Sequence, residues 1–158
     1  MDIPATPALR VLRAAKVDFE PMLYAYEEHG GTRHASEALG VDEHLTVKTI
    51  VLETEQKQAL IMLMHGDREI STKQLARTIG AKTVTPCSPD TATRHTGYLL
   101  GGTSPFGTRK ALPVYAESTL FDLPAIYING GRRGLLVKIA PAVLDSILHP
   151  TRVAVAIG

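Results

Sequence analysis

The chain has 158 residues, 44% hydrophobic and 21% charged, with a formal net charge of +1 and one cysteine. That length suits one domain, residues 1–158, burying about two thirds of its unfolded surface. The longest apolar run, Ala59 to Met64, falls far short of the roughly 20 residues a membrane span needs. The near-neutral balance excludes gripping nucleic acid through an overall positive field. Lone Cys87 excludes an internal disulfide, and with no basic leader before an apolar core at the N-terminus the expected location is cytoplasmic.

In chain order, Thr6 and Pro7 open a helix whose apolar stripe is Leu9, Leu12 and Val17. A strand is expected between Phe19 and Tyr26, then a short helix capped by Thr32 and stopped by Gly40. Val47 to Leu52 and Ala59 to His65 carry the strongest strand signals, and the polar stretch between them reads as a hairpin connection. Ser71 or Thr72 caps the next helix, which Gly80 ends. Val84 lies in a short strand, and Ser88-Pro89-Asp90 starts a helix closed by Gly97. Strands are expected at Leu112 to Ala116, Ala125 to Ile128, Leu135 to Ile139 and Val153 to Ile157, with Pro141 opening a last helix through Leu148. Helices and strands alternate irregularly, and the pair around Lys48 is a hairpin rather than a crossover. The fold class is therefore α+β, a mixed, mainly antiparallel sheet with flanking helices, rather than a doubly wound parallel sheet.

Two stretches concentrate glycine and cations: GYLLGGTSPFGTRK, residues 97–110, and YINGGRRG, residues 127–134. The first is not a phosphate loop. Gly102 and Gly107 have the right separation, but Thr108 and Arg109 stand where Lys and Ser or Thr are needed, and Pro105 removes a backbone donor. Arg94, Arg109, Lys110, Arg132 and Arg133 beside these stretches form either a solvated rim or the rim of one binding cleft. Lys48 lies on a strand with Ile50 and Leu52 on its own face and Val47 and Val51 on the other. Its ammonium either snorkels into water or sits at the mouth of an apolar pocket, aimed at a phosphate or a polarised carbonyl. The six histidines form no pair with metal-ligand spacing, so no metal and no cofactor are expected. Cys87 reads as a small apolar residue, and Ser104 lacks the Gly-x-Ser-x-Gly setting of a nucleophile. Tyr24 and Tyr26 share a strand face, either as padding or as ligand contacts.

Taken together, VKTIVL with Lys48, TGYLLGGTSPFG from Thr96 and IYINGGRRG from Ile126 resemble the YbaK/EbsC family of aminoacyl-tRNA deacylases. That family is related to the editing domain of bacterial prolyl-tRNA synthetases. The resemblance runs from TPALRVL at Thr6 to the final strand. It implies a barrel-like mixed sheet flanked by helices and an enzyme that removes a mischarged small amino acid from the tRNA 3′ end. Cysteine on tRNA-Pro is the first choice, and the alternative is a catalytically silent module that binds aminoacyl-tRNA or a synthetase. Carried over, Lys48 is the essential lysine and Tyr26 a pocket tyrosine. Gly101, Gly102, Thr103, Ser104, Pro105 and Gly107 form one wall; Gly130, Gly131 and Arg133 form the other. The implied partners are the CCA end of aminoacyl-tRNA and prolyl-tRNA synthetase, with no membrane. In the cysteine-specific members an aspartate follows the second glycine stretch, and here that position is Leu136.

Overall fold

The computed structural model describes residues 2–158. Helix α1 spans Pro7–Ala14; the Thr6 hydroxyl accepts the Leu9 N–H at 3.1 Å, and Ala8, Leu9 and Leu12 are buried. Val17 falls outside the helix, because the chain turns left-handed at Lys16 (φ 57°), yet it still packs on the same core. Strand β1 is Glu20–Leu23, shorter than the pattern suggests. Helix α2, Gly31–Leu39, is entered through Gly30 rather than capped by Thr32, whose hydroxyl donates instead to the Glu43 carboxylate at 2.9 Å. Gly40 ends α2 in the left-handed conformation, as a residue without a Cβ can do at little cost.

The hairpin of β2, Thr46–Thr54, and β3, Ala59–His65, forms in register from Val47 opposite His65 to Glu53 opposite Ala59. A two-residue strand, β4 (Glu69–Ile70), leads into α3, Thr72–Ile79, which Ser71 caps and Gly80 stops. Then come β5 (Val84–Pro86), α4 (Pro89–Thr96, capped by Ser88 and closed by Gly97) and, beyond the first glycine stretch, β6 (Val114–Glu117). The chain finishes with β7 (Ile126–Asn129), β8 (Leu135–Ile139), α5 (Ala142–Leu148), β9 (Thr151–Val153) and β10 (Ala156–Ile157). The expected terminal strand is thus split. β9 joins β6, while the Glu117 carboxylate takes the Val155 N–H at 2.8 Å and hands the chain to β4, where β10 pairs.

The main sheet runs β1-β8-β7-β2-β3-β6-β9, with β5 also on β2. Four pairings in this sheet are antiparallel and three parallel, so it is mixed with a small antiparallel majority, and the separate β4–β10 pair is antiparallel too. One face carries the larger core: Val47, Val51, Ile61, Leu63, Ile128 and Val137 pack against α1, α5, Tyr98 and Phe106. The other face is covered in two patches. Leu52, Leu60, Met62 and Met64 meet Leu75 and Ala76 of α3, and Tyr127 and Leu136 meet Ala35 of α2. Lys48 lies on this second face of β2, on the side of Ile50 and Leu52.

Candidate functional site

The strand order that builds the sheet also opens it. β2 runs beside β7 only at Thr46 and Val47, and meets β5 only from Leu52 onward. Beside the stretch between lies a cavity of about 340 Å³, bordered by α2, β2, Leu136 and the 100–103 segment, within the usual range for small-ligand sites.

Lys48 points into this region from the same strand face as Ile50. Its Nζ is 3.4 Å from the Glu69 carboxylate, which is itself 78% exposed. An ion pair that wet contributes about 0–1 kcal/mol, so the ammonium can turn to an anion or a carbonyl at little cost. Tyr26 stands opposite at the rim, half exposed, with the Arg133 guanidinium 5.2 Å from its ring centroid. Arg133 Nε donates to the Leu100 carbonyl at 2.9 Å, tying the rim to the first glycine stretch. Asn129 fastens both glycine stretches. Its Nδ2 donates to Gly101 O at 3.2 Å, and its Oδ1 accepts the N–H groups of Gly131 and Arg132. Burial, reinforced by Tyr26, pushes the Tyr24 phenol above its ordinary range, so it stays a neutral hydroxyl. His34, also on the cavity, contacts the Ala25 carbonyl through Nε2 and lies 3.1 Å from Glu27 through Nδ1.

Of the residues singled out in the sequence, Lys48, Tyr26, Gly101, Thr103 and Arg133 border the cavity. Gly102, Ser104, Pro105, Gly107, Gly130 and Gly131 are not among the residues that border it, and pack against the protein's own chain instead. Ser104 is fully buried and its Oγ accepts the Phe106 N–H at 3.1 Å, while Pro105 is buried beside it. A Cβ on Gly102 would fall 2.7 Å from the Arg133 nitrogen, and one on Gly107 2.9 Å from the Pro7 carbonyl. Gly130 and Gly131 lie against Leu135 and Tyr98 in the same way. These glycines are small because the protein's own chain passes close to them.

Sequence reasoning did not find Asn129, Thr49, Ala35 or Leu100 as cavity residues. Asn129 had one available signal, a polar residue ending an apolar strand before two glycines. Leu136, only 5% exposed, closes the cavity against Ala35 and Tyr127 with no charge. Elsewhere, folding brings together His44, His65 and Asp67, with one ligand-capable atom of each within 4.8 Å of the others, although sequence spacing showed no such group. Both nitrogens of His65 are already engaged, by His44 O at 2.9 Å and Thr119 Oγ1 at 2.7 Å. Cys87 lies off the cavity, its thiol pushed up to about 11 by burial and by Glu53. No helix among the described residues is long and apolar enough to cross a membrane.

The family model described as the aminoacyl-tRNA editing domain matches residues 28–147. A protein of Enterococcus faecalis, whose name proposes Cys-tRNA(Pro)/Cys-tRNA(Cys) deacylase activity, is 29% identical over 91% of this chain and 88% of its own. A proline–tRNA ligase of Brachyspira hyodysenteriae is 23% identical over 58% of this chain, a segment making up 16% of that protein. A crystal structure described as a proposed trans-editing enzyme for prolyl-tRNA synthetase superposes with a TM-score of 0.82 at 21% identity, covering 99% of this chain and all of the other. The matched residues 28–147 include β2 and the first glycine stretch.

Proposed function

The chain belongs to the aminoacyl-tRNA editing domain family, and from that premise we propose that it is a trans-editing deacylase cleaving a mischarged small amino acid from the 3′ end of tRNA. Cysteine on tRNA-Pro is the first-choice substrate, the cytoplasm the working compartment, and residues 1–158 form a single editing domain. The observation that carries the reading is Lys48, whose weakly held ammonium stands at the mouth of a cavity whose inner wall is Ala35, Ile50 and Leu136. A cation at that position stabilises the charge that develops on an ester under attack.

No side-chain nucleophile is needed. With water, the attacking hydroxyl replaces the 3′ oxygen at the carbonyl carbon, and the water proton leaves with that oxygen. With a cysteinyl ester, the substrate's own thiol attacks, closing a thiolactone as its proton passes to the departing 3′ oxygen. Tyr26, Gly101, Thr103 and Arg133 hold the terminal nucleotide; Gly102, Ser104, Pro105, Gly107, Gly130 and Gly131 keep the walls in place from behind. The net charge of +1 supplies little general attraction for tRNA, which favours delivery by prolyl-tRNA synthetase.

A second reading, a silent aminoacyl-tRNA or synthetase-binding module, is favoured by Leu136, which offers no acid to a substrate amine. The test is ester loss from tRNA-Pro charged separately with cysteine, alanine, serine and proline. Active enzyme removes at least one mischarged form, and Lys48→Ala lowers kcat/KM on the order of 10²–10³-fold while remaining folded. Binding without loss of any ester supports the silent module.

A further inference from the structure

Four consecutive residues, Val47 to Ile50, border the cavity. Side chains alternate between the faces of a strand, so four in a row can be reached only from the strand's edge. The direction of that edge follows from the hydrogen bonds. Thr54 donates to Gln58 O at 3.0 Å and Thr46 O accepts from Gly66 at 2.8 Å, so the even-numbered residues of β2 bond to β3. In an antiparallel pair the intervening residues turn both N–H and C=O the other way. Val47 thus faces β7, where it pairs with Ile128, and Val51 O accepts the Cys87 N–H at 3.0 Å.

Thr49 lies between them, beyond the end of β7 and before the start of β5, with no strand opposite. Its Oγ1 is also shut away from solvent without a hydrogen-bond partner. A partly buried peptide edge and a buried hydroxyl left unpaired are both costly, and here both lie on the residue next to Lys48.

We infer that Thr49 docks the aminoacyl end of the substrate as a one-residue β-bridge. The inference rests on the deacylase reading and names how that site holds its substrate. An aminoacyl ester carries an ammonium and a carbonyl on one residue, the same donor and acceptor that a bridging strand residue presents. The ammonium donates to Thr49 C=O, and the ester carbonyl accepts Thr49 N–H. This arrangement supplies the amine contact that Leu136 does not. Residues directly opposite in an antiparallel bridge direct their side chains to the same face. The substrate side chain therefore lies beside Thr49 Oγ1, which bonds a small polar group such as a hydroxyl or thiol.

The test compares tRNA-Pro carrying alanine, serine or lactic acid, each rate divided by its spontaneous rate, with wild-type protein, Thr49→Val and Thr49→Pro. Wild type processes the lactyl ester about tenfold less well than the alanyl ester, because a neutral hydroxyl replaces the charged donor. Thr49→Val lowers the ratio of serine to alanine removal about 3- to 10-fold. Thr49→Pro deletes an N–H that makes no ladder bond, so the hairpin survives while cleavage of every ester falls on the order of 10²-fold. Should that variant unfold, the lactyl comparison and Thr49→Val still decide. Equal normalised rates for lactyl and alanyl esters, with an unchanged serine-to-alanine ratio in Thr49→Val, overturn the bridge and leave the deacylase reading standing. Wild-type protein inert towards every ester overturns both.

Discussion

The β2 segment from Val47 to Ile50 and the glycine stretches at 97–110 and 127–134 frame the same cavity, yet they meet it differently. In β2 every residue of the segment borders the open space, whereas of the five glycines from Gly101 to Gly131 only Gly101 does. Glycine-rich sequence suggests backbone laid bare for a ligand. In this molecule it mostly records backbone laid against the protein's own chain: Gly102 on the backbone of Arg132 and Arg133, Gly107 on that of Pro7, and Gly130 and Gly131 on the side chains of Leu135 and Tyr98. The residues available for chemistry come from an ordinary-looking strand whose neighbours stop short of it.

The largest expected effect separates the two regions directly. Lys48→Ala removes activity on the order of 10²–10³-fold without lowering thermal stability by more than about 1 kcal/mol, because its ion pair is wet. The glycine stretches invert that pattern. Gly102→Ala and Gly107→Ala each destabilise by about 2–4 kcal/mol in urea unfolding, since rigid backbone occupies the space a methyl group needs. Gly101→Ala falls between. Its added Cβ meets the tip of Tyr26, which can swing away, leaving strain of about 1 kcal/mol from a φ of 86° and a clear loss of activity. Equal stability losses at all three glycines would remove the distinction between wall and support.

The smallest effect concerns Cys87. With its thiol pushed up to about 11, the reactive thiolate is scarce at neutral pH. Alkylation stays slow there and accelerates only as pH climbs towards that value, while Cys87→Ser keeps full deacylation. The raised value also means that the unfolded chain, with an ordinary thiol near 8.5, releases its proton first on raising pH. The contribution of this group to stability therefore declines from about pH 8.5 upward to 11. Rapid alkylation at pH 7 would contradict the burial assigned to it.

Much of the fold was legible because its signals are local. Thr6-Pro7, Ser71, Ser88-Pro89, Gly40, Gly80 and Gly97 all start or stop helices where the pattern places them. The hairpin around Lys48 follows from apolar runs separated by a polar turn. What escaped is long-range. Thr32 gives up a capping role for Glu43, eleven residues away, and the last strand breaks because the Glu117 carboxylate claims Val155. The site divides along the same line. Lys48 stood out as a charge in an apolar strand, Tyr26 and Arg133 as a possible ligand contact and a possible cleft rim, and Gly101 gained a site role through resemblance. Thr49 carries no signal of its own, because its open edge depends on where β7 ends and β5 begins. The packing role of Gly102 and Gly107 likewise becomes visible only when Arg133 and Pro7 are placed beside them.

The most direct test of the central claim is a backbone NMR titration with a non-hydrolysable 3′-aminoacylamido-adenosine. The account predicts the largest shifts at residues 47–50, at Tyr26 and at 100–103, with Gly107, Gly130 and Gly131 nearly unmoved. Shifts centred on those last three glycines and silent at Lys48 and Thr49 would contradict it.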